Sequence, residues 1–535
     1  MTFDVLIRAG RVVDGTGGPS LIADVAIRDG RIAGIGALGD LEARTVIDAA
    51  GLVVAPGFVD IHSHGDVTVI ADPRAQSAIA QGVTTIVVGN CGHSPAPLPI
   101  PSALPELTFG YLEGLPVSWT TFGEYLDTVE LARPAVNVAS LAGHNAIRVA
   151  VLGHDPRVAT AAEVRSMVTE VERAMDAGAF GLSSGLEYPL GARATTDELV
   201  VLASAVGRSD GLYALHTRDR DFHAVEAFDE AFAIAERSGT ALQISHIAPR
   251  RGAPEGALLD VLERIDRRRT DGLDVACDQH TRYHGITKLV TMLPPSASAV
   301  GTTELIRLLR NPAARAAFHD FREPIHKMGL MGEWERMSLF EARASPDLVG
   351  KDFAEIGRER GQHPLDGIMD ILLEAGDDAP NVLFVGLVQT QKDLDLAFAS
   401  DTCVPESDAT TLAPDGPLAH QRFLGAYTWA AFFLRCIVRE RAILGLEEGV
   451  RRLTSVPAQR VGLPERGVVA VGAWADITIF DPGGIADKGT VAEPNAFPVG
   501  IHHVFVNGGL AYSDGRFAEE RSGQVIRRPG RGIPS

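Results

Sequence analysis

The chain has 535 residues, 45% of them apolar and 6% aromatic, with a net charge of −20 from 49 basic and 69 acidic side chains. That length accommodates a barrel of about 250 residues together with accessory structure. The acidic balance excludes a nucleic-acid partner, whose phosphates need concentrated positive charge, and reads as solubility.

Four cysteines, Cys91, Cys277, Cys403 and Cys436, show no CxxC spacing, which predicts reduced thiols rather than a disulfide framework. Asp4 stands where a signal peptide places a basic residue. No run of 18 uncharged apolar residues occurs, so no membrane span is expected. These features predict a cytoplasmic protein whose partner is a small-molecule substrate, with no membrane association.

The first 50 residues read as short β runs at 5–8, 11–13, 24–28 and 31–35, punctuated by Ala9-Gly10, Asp14-Gly15 and Asp29-Gly30. The same texture returns at 468–471, 476–480 and 502–506, followed by Asn507-Gly508. The pattern predicts one small β-sandwich domain built from residues 1–54 and 465–535. Between them, residues 55–464 alternate apolar strands with helical stretches. Strands are expected at 54–61, 84–89, 135–141, 178–183, 212–216, 241–246, 273–278 and 396–401. Helices are expected at 160–177, 221–238 and 256–269. Eight strands in that rhythm predict an α/β chain with a TIM (β/α)8 barrel. The seventh and eighth strands are too far apart for one crossover, so residues from about 284 to 350 are expected to form an insertion, a lid or specificity element. It opens at Leu293-Pro294-Pro295 and then turns helical.

Chemistry concentrates at the carboxyl ends of these strands, the face on which barrel enzymes build their sites. His62 and His64 follow the first strand, and their i, i+2 spacing on extended backbone lets both reach one metal. Cys91, in Gly89-Asn90-Cys91-Gly92, ends the second strand; its thiolate would be a strong zinc ligand. His216 ends the fifth strand and His246 the sixth. One such histidine is ordinarily structural, and one such cysteine a small buried apolar residue. Four histidines and a cysteine on one face point to a metal. Asp401, at the end of the expected eighth strand, is the candidate proton acceptor and donor.

The stretches at 56–66 (PGFVDIHSHGD), 89–98 (GNCGHSPAPL), 181–191 (GLSSGLEYPLG), 216–221 (HTRDRD), 242–246 (LQISH), 399–402 (ASDT) and 455–482 resemble the amidohydrolase superfamily. More narrowly they resemble N-acyl-D-amino-acid deacylases, and the resemblance extends over nearly the whole chain. It implies a tightly bound zinc on Cys91, His216 and His246, and a second, weaker metal position at His62, His64 and Asp401. It also implies that Tyr188 holds the substrate or its carbonyl and that Arg422 lies near the substrate carboxylate. The family's lysine after the sixth-strand histidine and its tyrosine-rich turn after the seventh strand are missing. Arg250, Arg251 or Arg282 are the candidate replacements, although a guanidinium fork is no direct substitute for an ammonium. The implied reaction is zinc-dependent hydrolysis of a linear amide, an N-acyl-D-amino acid. Alternatives are a cyclic amide or hydantoin, a carbamoyl compound or a dipeptide, and a non-catalytic barrel that only binds.

Overall fold

A computed structural model describes residues 2–39, 41–155 and 157–529. Short, mostly buried runs make the eight parallel strands that carry the candidate site: β1 (Phe58–Asp60), β2 (Val83–Val88), β3 (Asn137–Ser140), β4 (Gly181–Gly185), β5 (Leu212–His216), β6 (Ala241–Ile244), β7 (Val275–His280) and β8 (Cys403–Glu406). Strands β1 to β3 form one hydrogen-bonded sheet and β4 to β8 another, extended past β4 by Ala142–Gly143. Backbone hydrogen bonds join the two sheets at both ends. Phe180 N donates to Ser140 O (2.9 Å) on one side; on the other, Asp408 N donates to His62 O (3.0 Å) and His64 N to Ala409 O (2.9 Å).

Helices follow the strands and face them with their apolar stripes. Ala161–Asp176 starts at a capping box in which Thr160 and Glu163 satisfy each other's backbone N–H groups. Ala224–Ser238 stops at left-handed Gly239, and Ala257–Thr270 follows β6. Val59, Val87, Ala139, Phe180, Leu212, Ala214 and Val404, from or next to six of the strands, pack together as one apolar plug. Because strand side chains alternate with period two, the next inward residues stand one layer higher, at the carboxyl ends. There the polar residues begin.

The expected eighth strand was misplaced. Residues 396–399 lie in the helix Gln391–Ala399, whose start is set by a Thr390/Asp393 capping box. A short apolar run such as Leu396-Ala397-Phe398-Ala399 fits a buried helix turn as well as a strand. The true strand contains Pro405, which argues against a strand on sequence alone.

Both termini contribute to one nine-stranded sheet, in which Val53–Pro56 pairs antiparallel with Ile477–Phe480. Two local expectations differ from what is found there. Ala9-Gly10 is a bulge inside the single strand Phe3–Val12, not a turn, and residues 468–471 are not a strand. Asp29-Gly30 and Asn507-Gly508 do form tight hairpins, with both residues of each pair at positive φ.

The segment after β7 runs further than the expected 284–350. His284–Lys288, Leu383–Leu387 and Met337–Glu341 form a three-stranded antiparallel sheet with its own apolar core around Phe353, Ile368, Leu372 and Phe384. Cys91 and Tyr188 pack into the same core, so the insertion sits directly over the candidate site.

Candidate metal centre

Five of the eight strand ends deliver side chains to one place. His62 and His64 follow β1, Cys91 follows β2, His216 is the last residue of β5, His246 lies two residues beyond β6, and Asp408 two beyond β8. Three of them hold left-handed backbone: Cys91 at φ 53°, His246 at 36° and Asp408 at 42°. Such conformations cost a non-glycine residue on the order of 1–3 kcal/mol each and collect at functional sites. Close approach is secured by glycine, since a Cβ on Gly185 would strike the Cys91 carbonyl.

The ligand atoms of Cys91, His216 and His246 lie within 4.8 Å of one another, as do those of His62, His64, Cys91 and Asp408. Cys91 Sγ is 3.2 Å from His62 Nε2 and 3.4 Å from His246 Nε2. All of these side chains but the partly exposed Asp408 are buried. Glu187 Oε2 lies 2.7 Å from His216 Nε2, leaving His216 Nδ1 buried with no hydrogen-bond partner. A carboxylate on one ring nitrogen and an unpartnered second nitrogen is the arrangement of a ligating histidine. A thiolate–imidazole donor set of this kind suits zinc.

Around the ligands lies a buried network of charge. Arg220 donates to His246 Nδ1 (2.7 Å) and to its carbonyl (3.0 Å). Asp278 accepts the His246 N–H at 2.7 Å and stands 3.4 Å from His62 Nδ1. Burial, with Arg220 nearby, keeps His216 and His246 well below the ordinary imidazole pKa, in the neutral form that metals bind. Burial pushes the Cys91 thiol up to about 11, partly opposed by His62. Burial also disfavours the charge on Asp408, but the His64 hydrogen bond and the Arg282 guanidinium outweigh it and hold this carboxyl well below its usual range.

A profile of the amidohydrolase family matches residues 45–340 and 411–512. The chain is 32% identical to an N-acyl-D-aspartate deacylase of Alcaligenes xylosoxydans xylosoxydans, over 99% of this chain and 96% of that one. The chain belongs to the amidohydrolase family. A solved N-acyl-D-glutamate deacylase from Bordetella bronchiseptica, in complex with zinc and a phosphonate that mimics the tetrahedral intermediate, superposes with a TM-score of 0.82 at 31% identity, covering 98% of this chain and 100% of that one. A D-aminoacylase structure described by its binuclear metal centre, with one-metal activation and second-metal attenuation, superposes at 0.80 and 30% identity, with the same coverage.

Within this amidohydrolase, Cys91, His216, His246, His62 and His64 come together and Asp401 does not. Its side chain is 96% exposed and meets Arg452 at 3.3 Å, in the turn that leads into β8, the opposite end of the strand from the cluster. Asp408 occupies the place expected of it, 3.2 Å from His64 Nε2 and 3.8 Å from His62 Nε2. The signal was present in the sequence: the dipeptide Ser-Asp occurs at 400–401 and again at 407–408, and only the second follows a strand. Tyr188 packs its ring against His216 (centroids 4.8 Å) and His93 (4.5 Å).

The expected arginines are engaged elsewhere. Arg250 is buried between Glu187 and Asp221, and Arg251 pairs with Glu333 at the surface. Arg282 spends its donors on Asp408 and on the carbonyls of Ser407, Asp408 and His284. Arg422 donates to the carbonyls of Phe340 (3.3 Å) and Ala492 (2.5 Å), away from the ligands. Sequence reasoning missed Glu187, Arg220, Asp278, Glu406 and Lys288. Nothing in their local spacing marks them, because the groups around each come from segments distant in the chain.

Proposed function

We propose that this amidohydrolase cleaves the amide bond of N-acyl-D-amino acids, releasing a carboxylate and the free D-amino acid. The observation that carries the reading is the Cys91–His216–His246 cluster with Asp408 beside it. Full-length similarity to deacylases of acylated D-amino acids supports the substrate class. The eight hydrogen-bonded strands support a (β/α)8 barrel over residues 55–464, carrying an insertion from 284 to about 390. The sheet shared by residues 1–54 and 465–535 supports a small β-sandwich beside it.

Cys91, His216 and His246 would hold zinc, and His62, His64 and Asp408 a second, weaker ion. Bound there, zinc supplies Lewis acidity, acidifying water and polarising a carbonyl. Asp408 is the proton carrier. Held ionised beside His64, it takes a proton from the attacking water and returns it to the departing nitrogen. Tyr188, against the His216 ring, would hold the substrate carbonyl. Lys288 and Arg422 line one cavity with Phe109 and Phe423 and would be the cations offered there to a substrate carboxylate.

The test is a panel of N-acyl-D- and N-acyl-L-amino acids, hydantoins, lactams and plain amides. The expected outcome is turnover confined to acylated amino acids with the D form preferred. Turnover of hydantoins alone would overturn the proposal.

A further inference from the structure

Glu406, the last residue of β8, is completely buried, and neither carboxyl oxygen has a hydrogen-bond partner among the described residues. In the register of β7 against β8, Asp278 pairs with Val404 and His280 with Glu406. Val404 belongs to the plug, so Glu406 stands inward one layer above it. There its carboxyl oxygen, one oxygen of Asp278 and a ring nitrogen of His62 lie within 4.8 Å of one another. His62 thus has two faces. Nε2 looks toward Cys91 and Asp408, and Nδ1 toward Asp278.

The charges on the two faces are unequal. Asp408 is matched by Arg282 at 3.0 Å and by His64. Asp278 accepts hydrogen bonds from His246 N and Gln243 Nε2 but, among the described residues, has no cationic side chain in an ion pair apart from His62 when protonated. Glu406 has nothing. An isolated carboxylate is among the costliest groups to bury, and a protein keeps one by neutralising it or by placing a cation beside it. Neither the zinc cluster nor the proton transfer by Asp408 uses Glu406.

We propose that Glu406, Asp278 and His62 Nδ1 hold a further divalent cation, on the face of His62 turned away from Cys91. Two carboxylates and one imidazole make an oxygen-rich set that suits Mn2+ better than the thiolate-loving ions of the neighbouring cluster. A neutral imidazole has one lone pair, so the inner cation and an ion bound through His62 Nε2 compete for this histidine. The inner position requires no particular substrate and stands apart from the deacylase reading.

The experiment titrates Mn2+ into protein carrying one equivalent of zinc, reading free Mn2+ by electron paramagnetic resonance and total metals by mass spectrometry. Wild type and His64→Asn, which disables only the outer set, are expected to take up one equivalent of Mn2+. Added to His64→Asn, so that the outer set cannot take the ion, Glu406→Gln, of nearly the same shape but uncharged, is expected to bind it at least tenfold more weakly while retaining its zinc. Glu406→Asp checks that a carboxylate, not merely correct folding, restores part of the uptake. Equal Mn2+ binding by His64→Asn with and without Glu406→Gln would overturn the proposal, and Glu406 would then be a buried neutral acid. Absence of uptake by wild type, or its loss in His64→Asn alone, would overturn it equally.

Discussion

Arg282 holds Asp408 twice, donating from Nη2 to its carboxylate and to its own carbonyl, each at 3.0 Å. A residue expected to grip substrate instead fixes the proton carrier, at a left-handed backbone position that needs external support. Asp408→Asn should lower kcat by roughly 10²- to 10⁴-fold, the usual worth of a positioned acid–base group, with zinc content barely changed. Asp401→Asn is the control: fully exposed at the other end of the strand, it should behave as wild type in the same assay.

Glu187 reaches His216 from outside the cluster and is anchored in turn by Arg250. Removing its charge should loosen the ring it orients. For Glu187→Gln, competition with a zinc chelator should show metal affinity 10- to 100-fold weaker, the usual effect of losing such a carboxylate. Unchanged affinity would mean that Glu187 plays no part in holding the ligand.

Lys288 is buried, its ammonium on the carbonyls of Pro105 (2.7 Å) and Glu106 (3.1 Å). Burial drops its pKa from 10.5 to about 7. Between those values the unfolded chain carries one more proton than the folded one, so this residue makes stability rise as pH goes from 7 to 10.5. Below pH 7 both states are charged and the slope vanishes. Urea denaturation at pH 7 and 9.5 should show that rise in wild type, and Lys288→Met should flatten it.

Phe384 is wholly buried in the insertion, its ring 5.1 Å from His326 and 6.1 Å from Phe353. Truncation to alanine should cost about 3–5 kcal/mol of unfolding free energy. Leu131→Ala, at an 83% exposed site, should stay within about 0.5 kcal/mol of wild type. Equal effects would deny the insertion a packed core of its own.

Most of the strands were legible because long stretches of this chain obey one period at a time. Apolar runs bounded by turn residues mark β1 to β7, and the ligands sit where those runs stop, so His62, His64, Cys91, His216 and His246 could be named from spacing. The eighth strand broke the rule twice, with a proline inside it and an apolar helix end just before it, and the error moved the proton carrier from Asp408 to Asp401.

By itself, the sequence determined seven of the eight site-bearing strands, their order and the histidines and cysteine at their ends, because those follow from local periodicity and side-chain chemistry. Only the tertiary structure decided which charges neutralise which. Arg250 meets Glu187 across 63 residues and Arg282 meets Asp408 across 126. Among the described residues Glu406 has no hydrogen-bond partner, and only nearby charge not paired with it, on His62 and Arg282, opposes the cost of its burial. Such pairings depend on where eight separate strands converge, and low local polarity makes each one, kept or missing, consequential for the site.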